Sequence, residues 1–220
     1  MPQHKMVILN KNLLIGRGAN KDIYIHPDYP ERCIRINSRE KDEHQREMYY
    51  RKVRERRHLP ESSLLAAYYG TVQTNLGEGF VFERISDYDG TTSKTLDDLI
   101  RLECKAREER QSENEVSGTE TRMPLMADVL SRLRELYFTE KIIVCDMHPA
   151  NCMVQFDTPT HCRVRIIDGI GITTLIPVVC YIDFLAAGHI KREWDRFMQR
   201  IKSFYPGFLT EEEIRRLTAT

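Results

Sequence analysis

The sequence lacks an excess of charge of either sign. Its 220 residues include 33 Lys and Arg and 33 Asp and Glu, so the formal net charge is zero. This balance argues against the basic surface that nucleic-acid binding requires. No apolar run is long enough to cross a bilayer, and no signal-length apolar core follows the first residues. We therefore expect a cytoplasmic protein without nucleic-acid or membrane partners.

The sequence also lacks metal-binding or disulfide patterns of cysteine. None of its six cysteines shows Cys-x-x-Cys spacing, which disfavours a zinc site and a disulfide framework. They are Cys33, Cys104, Cys145, Cys152, Cys162 and Cys180. The seven histidines are scattered. A reducing compartment fits this usage best.

The most informative motif combines two acidic residues with an asparagine. Asp146 is followed five residues later by Asn151 and 22 residues later by Asp168, which ends an apolar run and precedes Gly169. A phosphoryl-transfer site needs an Asp that orients a hydroxyl nucleophile, and an Asn and a second Asp that hold Mg²⁺. The spacing alone is weak support, because it arises by chance and Asp-Gly often only marks a turn.

A glycine turn lies near the start of the chain. Residues 13–25 contain an apolar run, the turn Gly16-Arg17-Gly18 and a second apolar run. This pattern predicts a hairpin that covers nucleotide phosphates, where glycine lets backbone amides approach the anion. The third glycine of such loops is missing, and Lys21 stands in its place. An ordinary hairpin is an open alternative, whereas a dinucleotide-binding turn is disfavoured because a strand follows.

A short strand and a charged helix are predicted next. Residues 32–36 alternate as a strand, and residues 38–57 form a highly charged stretch typical of a helix. The helix presents three acidic residues on one face, namely Glu40, Glu43 and Glu47. We expect Glu47 to pair with Arg35, which occupies the place of the phosphate-binding lysine of kinases. The alternative is that these acids are solvated and pair within the helix.

A second hairpin and a hinge are predicted between residues 70 and 90. Residues 70–74 and 79–85 resemble strands separated by a turn that is rich in Asn and Gly. The polar residues 86–90 follow, where a hinge between two lobes would lie. Backbone groups near Glu83 can then meet an adenine edge.

The remaining pattern is mainly helical. We predict a short helix over residues 95–104 with Thr95 as its N-cap, then a frayed end and a mobile loop over residues 105–121. Pro124 is predicted to begin a helix with an apolar face. Residues 183–204 form a last helical region, followed by a tail. The apolar face comprises Met126, Val129, Leu130, Leu133, Leu136 and Tyr137.

Several blocks together resemble the bacterial YrbL family, named for the PhoP regulatory network. They are Gly16-Arg17-Gly18, Tyr24-Ile25-His26-Pro27, Arg32-Cys33-Ile34-Arg35-Ile36, Arg46-Glu47, Tyr69-Gly70-Thr71-Val72, Asp87-Tyr88-Asp89-Gly90 and Ile170-Gly171-Ile172-Thr173-Thr174-Leu175-Ile176-Pro177. The resemblance implies an α+β, minimal two-lobed protein-kinase-like fold. A β-rich N-lobe would span residues 1–86, and a reduced helical C-lobe residues 87–220.

We therefore expect an atypical, minimal kinase-like protein that binds Mg-ATP and transfers its γ-phosphoryl group to a protein or small-molecule acceptor. Asp146 would be the catalytic residue, with Asn151 and Asp168 as Mg²⁺ ligands. The expected nucleotide-binding residues are Gly16, Gly18, Lys21, Arg35, Glu47 and Glu83. Two alternatives stay open. A pseudokinase that acts as a regulatory binding module is favoured by Arg35 and the missing glycine, and a small-molecule phosphotransferase is favoured by the short second lobe.

Overall fold

The computed structural model describes residues 6–18, 20–37, 41–113, 126–173 and 178–219. It has a first lobe built on a five-stranded sheet and a mainly helical second lobe with a three-stranded sheet. The α+β, two-lobed arrangement is therefore confirmed, while its likeness to protein kinases and a lobe boundary at residue 86 stay predictions. None of the helices in the described ranges is both long and apolar enough to cross a membrane.

The first lobe is an antiparallel sheet with one long helix. Its elements are β1 (Leu14–Arg17), β2 (Lys21–Ile25), β3 (Arg32–Asn37), α1 (Lys41–Arg56), β4 (Tyr68–Thr74) and β5 (Gly77–Glu83). The strand order is β1-β2-β3-β5-β4. Both predicted hairpins are confirmed, although the second turn is tighter than predicted because Gly77, at φ +105°, already pairs in β5.

Strand alternation divides β3 between two environments. Ile34 is fully buried in a small apolar core that includes Tyr24 and Val81. Its neighbour Arg35 points to the opposite face of the sheet, where its guanidinium contacts α1. The sheet therefore buries one face in an apolar core and presents Arg35 on the other face, toward the site.

Several polar side chains of the highly charged helix α1 are buried. His44, Glu47 and Arg54 are all less than 9% exposed. Arg54 donates to the carbonyl oxygen of Pro60 at 2.8 Å and to that of Glu140 at 3.1 Å, which ties the helix to the second lobe. Glu40 lies outside the described residues.

The second lobe encloses the main core. Its elements are β6 (Lys94–Thr95), α2 (Leu96–Glu113), α3 (Met126–Thr139), β7 (Cys152–Thr158), β8 (His161–Ile166), α4 (Asp183–Phe204) and α5 (Glu211–Thr218). Trp194 and Phe197 of α4 pack with the apolar face of α3 in this core. The predicted apolar face of α3 and the predicted helix over residues 183–204 are confirmed, and Pro124 lies outside the described residues.

Two predictions about the second lobe were wrong. The helix α2 does not fray after Cys104 but continues to Glu113, and the rest of the predicted loop, residues 114–121, lies outside the described residues. Ion pairs one turn apart, such as Arg107 with Glu103 at 3.0 Å, support the extension, and Arg107 also donates to the Phe208 carbonyl at 2.9 Å. The predicted tail contains α5, which begins with a capping box between Thr210 and Glu213.

Candidate active site

A cleft of about 390 Å³ lies between the lobes. Ile15, Gly16 and Lys21 line it from the first hairpin, and Met153 and Ile167 line it from the second lobe. This volume falls in the range of small-molecule sites. The cleft is also lined by more cationic side chains (Arg17, Lys21, Arg35, Arg51 and Arg84) than acidic ones (Glu47, Glu83 and Asp98). Its charge therefore suits an anionic ligand.

The expected pair between Arg35 and Glu47 is present at the back of the cleft. An Arg35 guanidinium nitrogen lies 2.9 Å from Glu47 Oε2, and Arg51 donates to Glu47 Oε1 at 2.8 and 3.0 Å. Arg35 and Glu47 are each only 4% exposed. We call Arg35, Glu47 and Arg51 the guanidinium clamp. It fixes α1 against the sheet with two cations around one carboxylate.

Other contacts commit Arg35 to this clamp. Its guanidinium lies 3.1 Å from His44 Nδ1 and 4.4 Å from the centre of the Phe82 ring. Burial, followed by the charge of Arg35, lowers the pKa of His44 to about 4, so its imidazole is neutral and can accept this hydrogen bond. The hydrogen bonds to His44 and Glu47 use the same guanidinium nitrogen, and the buried Arg35 Nε has no hydrogen-bond partner among the described residues.

A second cluster lies at the other end of α1's acidic face. Lys21 Nζ donates to Asp168, and the Glu43 carboxyl hydrogen-bonds to the same Asp168. We call Lys21, Glu43 and Asp168 the cleft cluster. It joins β2 and α1 of the first lobe to the segment after β8 of the second. The Asp168 and Lys21 side chains are only 17% and 16% exposed.

The cleft cluster contains more acid than base, which shifts its pKa values. The hydrogen bond with Asp168, together with burial, raises the pKa of Glu43 to about 7. Burial tends to raise the pKa of Asp168, but the hydrogen bond from Glu43 and the ammonium of Lys21 outweigh it and keep this pKa low. Near neutral pH, Glu43 and Asp168 therefore share one proton and one ammonium, and a further cation would stabilise both carboxyl groups.

This donor set fits a magnesium ion. Mg²⁺ is typically bound by one or two carboxylates together with phosphate oxygens and waters. Asp168 supplies a carboxylate, and Asn151 supplies an amide oxygen because its Nδ2 is used to donate to the Asp146 carbonyl at 3.0 Å. No group of three His, Cys, Asp or Glu side chains in the described ranges could hold a metal. Phosphate oxygens would therefore have to complete the coordination.

The backbone brings the three residues of the sequence motif together. Cys145 N donates to the Gly169 carbonyl at 2.8 Å, and Ile167 N donates to the Asn151 carbonyl at 2.9 Å. Gly169 has φ +71°, and a Cβ there would lie 2.6 Å from the Asp146 carbonyl oxygen. Only glycine fits this position. The Asp-Gly dipeptide thus docks Asp168 against the loop that carries Asp146.

Asp146 itself lies at the mouth of this loop and is not free. Arg200 of α4 donates to Asp146 Oδ1 at 2.5 Å and to the Met147 carbonyl at 2.7 Å. The Asp146 side chain is 51% exposed, so an acceptor can reach it. His148 Nδ1 accepts from Ala150 N at 3.1 Å, and this contact helps to fix the conformation of the loop.

The glycine turn shapes the approach to Lys21. Gly18 N donates to the Lys21 carbonyl at 2.7 Å and closes the turn. Neither Gly16 nor Gly18 has a positive φ. Glycine is therefore not required there by backbone strain, and its local advantage is space, because a Cβ at Gly18 would lie 3.4 Å from Lys21 Cγ.

The hinge offers backbone groups but not the Glu83 side chain. That carboxylate is bound by Arg165 and accepts from Ala67 N at 3.0 Å. Outside the strand pairing of β5, the Glu83 carbonyl accepts from the Cys33 thiol at 3.7 Å, and the Ile85 N–H has no acceptor within the described residues. An acceptor and a donor two residues apart thus remain available at the cleft edge.

Sequence reasoning did not predict three contacts of this site. Glu43 was recognised as facing the strand, but its contact with Asp168 depends on how the lobes meet. Lys21 was placed in the glycine turn without its partner, although alternation with Ile23, which lines the cleft, indicates the correct face. Arg200 carries no local signal, because it lies 54 residues from Asp146.

Comparison with known proteins places the chain in a family. The YrbL proteins of Escherichia coli (strain K12) and Shigella flexneri are each 27% identical to the chain over 197 residues, which cover 88% of this chain and 87% of theirs. A crystal structure of Rad53 1-466 in complex with AMP-PNP aligns with a TM-score of 0.47 and 14% identity. The alignment covers 94% of this chain and 55% of the Rad53 chain, so this chain spans about half the length of that structure. Residues 7–202 match the family described as PhoP regulatory network protein YrbL, and the chain belongs to that family.

Proposed function

We propose that this protein is an atypical kinase that binds Mg-ATP in the cleft and transfers its γ-phosphoryl group to a hydroxyl acceptor. The observation that carries this proposal is the cleft cluster. An ammonium and two carboxyl groups from three separate segments meet beside a cationic cleft. Mg²⁺ and a polyphosphate need this combination of charges.

The hinge supports adenine as the base. The Glu83 carbonyl can accept from the exocyclic amine of adenine, and the Ile85 N–H can donate to a ring nitrogen. Ile15 and Ile23 on one side and Met153 on the other provide apolar surfaces for a planar ring. Gly16 and Gly18 would then lie along the phosphates.

The loop residues support the transfer step. Asp146 would orient the acceptor hydroxyl and accept its proton as the γ-phosphoryl group is transferred to the hydroxyl oxygen and ADP leaves. Arg200 holds the Asp146 carboxylate through a 2.5 Å contact. Asn151 and Asp168 would hold Mg²⁺, which when bound neutralises charge on the phosphates.

A pseudokinase is the second candidate function. It is favoured because Arg35 is already committed to Glu47 and His44, and because Asp146 is occupied by Arg200. In that case the cleft would bind nucleotide, or a partner would bind the lobes, without transfer. A small-molecule phosphotransferase is a variant of the first proposal, supported by the two helices, α4 and α5, that follow Asp168.

Thermal-shift titration followed by intact mass tests these proposals. The protein is titrated with ATP with and without MgCl₂, and its mass is then measured after incubation with Mg-ATP alone and with candidate acceptors. We expect a rise in melting temperature that depends on Mg²⁺. A phosphoryl group on the protein or on an acceptor supports the kinase, and nucleotide stabilisation without transfer supports the pseudokinase. Absence of any nucleotide effect would contradict ATP binding.

A further inference from the structure

We infer that the ammonium that anchors the nucleotide phosphates comes from β2, as Lys21, and that Arg35 on β3 instead serves to hold α1. The inference rests on the proposed function of the same cleft. It assigns the two cations of the sheet different roles. The missing third glycine and the missing β3 lysine then have one explanation, because Lys21 occupies the position of that glycine and supplies the ammonium that β3 lacks.

The register of the sheet places both cations on the cleft face. Ile23 of β2 lies opposite Arg35 of β3, and Lys21 lies opposite Asn37. Alternate residues of a strand share a face, so Lys21 lies on the same side as Ile23 and Arg35, two residues nearer the glycine turn. Both cations line the cleft. Lys21 is therefore displaced along the sheet without leaving the cleft.

Arg35 is not available to follow a ligand. Its guanidinium binds Glu47 at 2.9 Å and His44 at 3.1 Å and lies over the Phe82 ring. Movement toward a phosphate would break these contacts in a position that is only 4% exposed. A buried carboxylate that loses a partner is costly. The clamp therefore favours Arg35 in its present place.

Lys21 has the opposite properties. Within the described residues, Asp168 is the hydrogen-bond partner of its ammonium. An ammonium is a compact charge on a flexible stem, so it can exchange a carboxylate for a phosphate with little movement. The exchange releases Asp168 to bind Mg²⁺. Gly18 leaves room for the stem, since its missing Cβ would lie 3.4 Å from Lys21 Cγ.

Isothermal titration calorimetry with Mg-ATP tests this division of roles. The parent is compared with Lys21→Met, with Arg35→Lys and with a control, Lys52→Met, which removes an exposed lysine of α1. We expect Lys21→Met to weaken binding by about 10- to 100-fold, the range for loss of a charge-assisted hydrogen bond. Arg35→Lys should change the affinity by less than about threefold, and Lys52→Met should leave it unchanged.

The order of the two losses decides the outcome. If Lys21→Met loses no more affinity than Arg35→Lys, the inference is overturned, and phosphate binding belongs to β3 or is shared. If the parent itself does not bind Mg-ATP, the proposed function fails and this inference fails with it. Melting temperatures establish that each variant is folded. Lys21→Gln, which keeps a donor beside Asp168, replaces Lys21→Met if that variant does not fold, and the same loss is expected.

Discussion

The guanidinium clamp and the cleft cluster use acidic residues of the same helical face in opposite ways. In the clamp, Glu47 is shared by two guanidiniums and is 4% exposed. In the cleft cluster, two carboxyl groups share one ammonium, and the pKa of Glu43 is raised to about 7, first by its hydrogen bond with Asp168. The clamp is therefore satisfied without a ligand, whereas the cluster has an unmet demand for positive charge. Stability and ligand binding are thus separated along one turn of α1.

The largest expected effect is on the clamp. Glu47→Gln leaves Arg35 and Arg51 without their carboxylate, and breaking a buried pair in this way costs about 3 to 5 kcal/mol. Glu43→Gln on the same face is the matched control, with an expected change within about 0.5 kcal/mol because Glu43 is already partly protonated near pH 7. Urea unfolding measures both. Equal losses would show that the two clusters do not differ as described.

The next effect concerns catalysis on the cluster side of the cleft. Asp146→Asn should preserve ATP affinity and lower phosphoryl transfer by about 100-fold, the range for loss of a positioned base. Asp195→Asn is the control, because Asp195 is also a half-exposed acid that pairs with a cation of α4. Transfer is measured by intact mass over time. Equal rates in parent and Asp146→Asn would remove Asp146 from the mechanism.

A third variant tests the charge demand of the cleft cluster. Asp168→Asn should abolish the Mg²⁺-dependent part of nucleotide stabilisation, because an amide replaces the carboxylate that would bind the cation. The melting temperature without ligand should be nearly unchanged, since the amide oxygen can still accept from Lys21 and Glu43 remains as an acid beside that ammonium. Asp157→Asn, in the hairpin of β7 and β8, serves as control. A large fall in the ligand-free melting temperature would instead identify Asp168 as a structural residue.

The smallest expected effect is the pH dependence of stability caused by His44, which contacts Arg35 of the clamp. The folded-state pKa of His44 is lowered from 6.5 to about 4, first by burial. The unfolded state therefore binds this proton more tightly than the folded state. The contribution of neutral His44 to the free energy of unfolding is thus fully present above about pH 6.5 and is lost as the pH falls toward about 4. We expect the loss to be about 1 kcal/mol, since solvent screens part of the interaction. Urea unfolding at several pH values should show the slope in the parent and a shallower slope in His44→Gln.

Local pattern was sufficient to predict most of the fold. The hairpin of β1 and β2 follows from a glycine turn between apolar runs, and α3 follows from apolar spacing. The full length of α2 was not predicted, because its second half has a charged composition and depends on Arg107 reaching Phe208. The strands β7 and β8 were also not predicted. Their stability comes from pairing with each other and with β6, which local pattern does not report.

The candidate site was predictable where chemistry follows spacing along the chain. The positions of Asp146, Asn151 and Asp168 and the pairing of Glu47 with Arg35 were expected from motifs, and the structure brings these residues together. The contacts of Lys21 and Arg200 were not expected. Lys21 lies 147 residues from Asp168, and its contact with Asp168 depends on how the lobes meet. The motifs therefore identify most residues of the site but not which cationic side chain pairs with which acidic one.

The join between the hinge and β8 has a consequence for the speed of ligand exchange. Arg165 of the second lobe binds Glu83 and the Leu65 carbonyl, and Ile166 N donates to the Leu64 carbonyl at 2.6 Å. Separation of the lobes must break these bonds together. Entry and departure of a nucleotide should therefore be limited by a conformational step slower than diffusion. Long residence times, more than fast capture, would then set the affinity of this cleft.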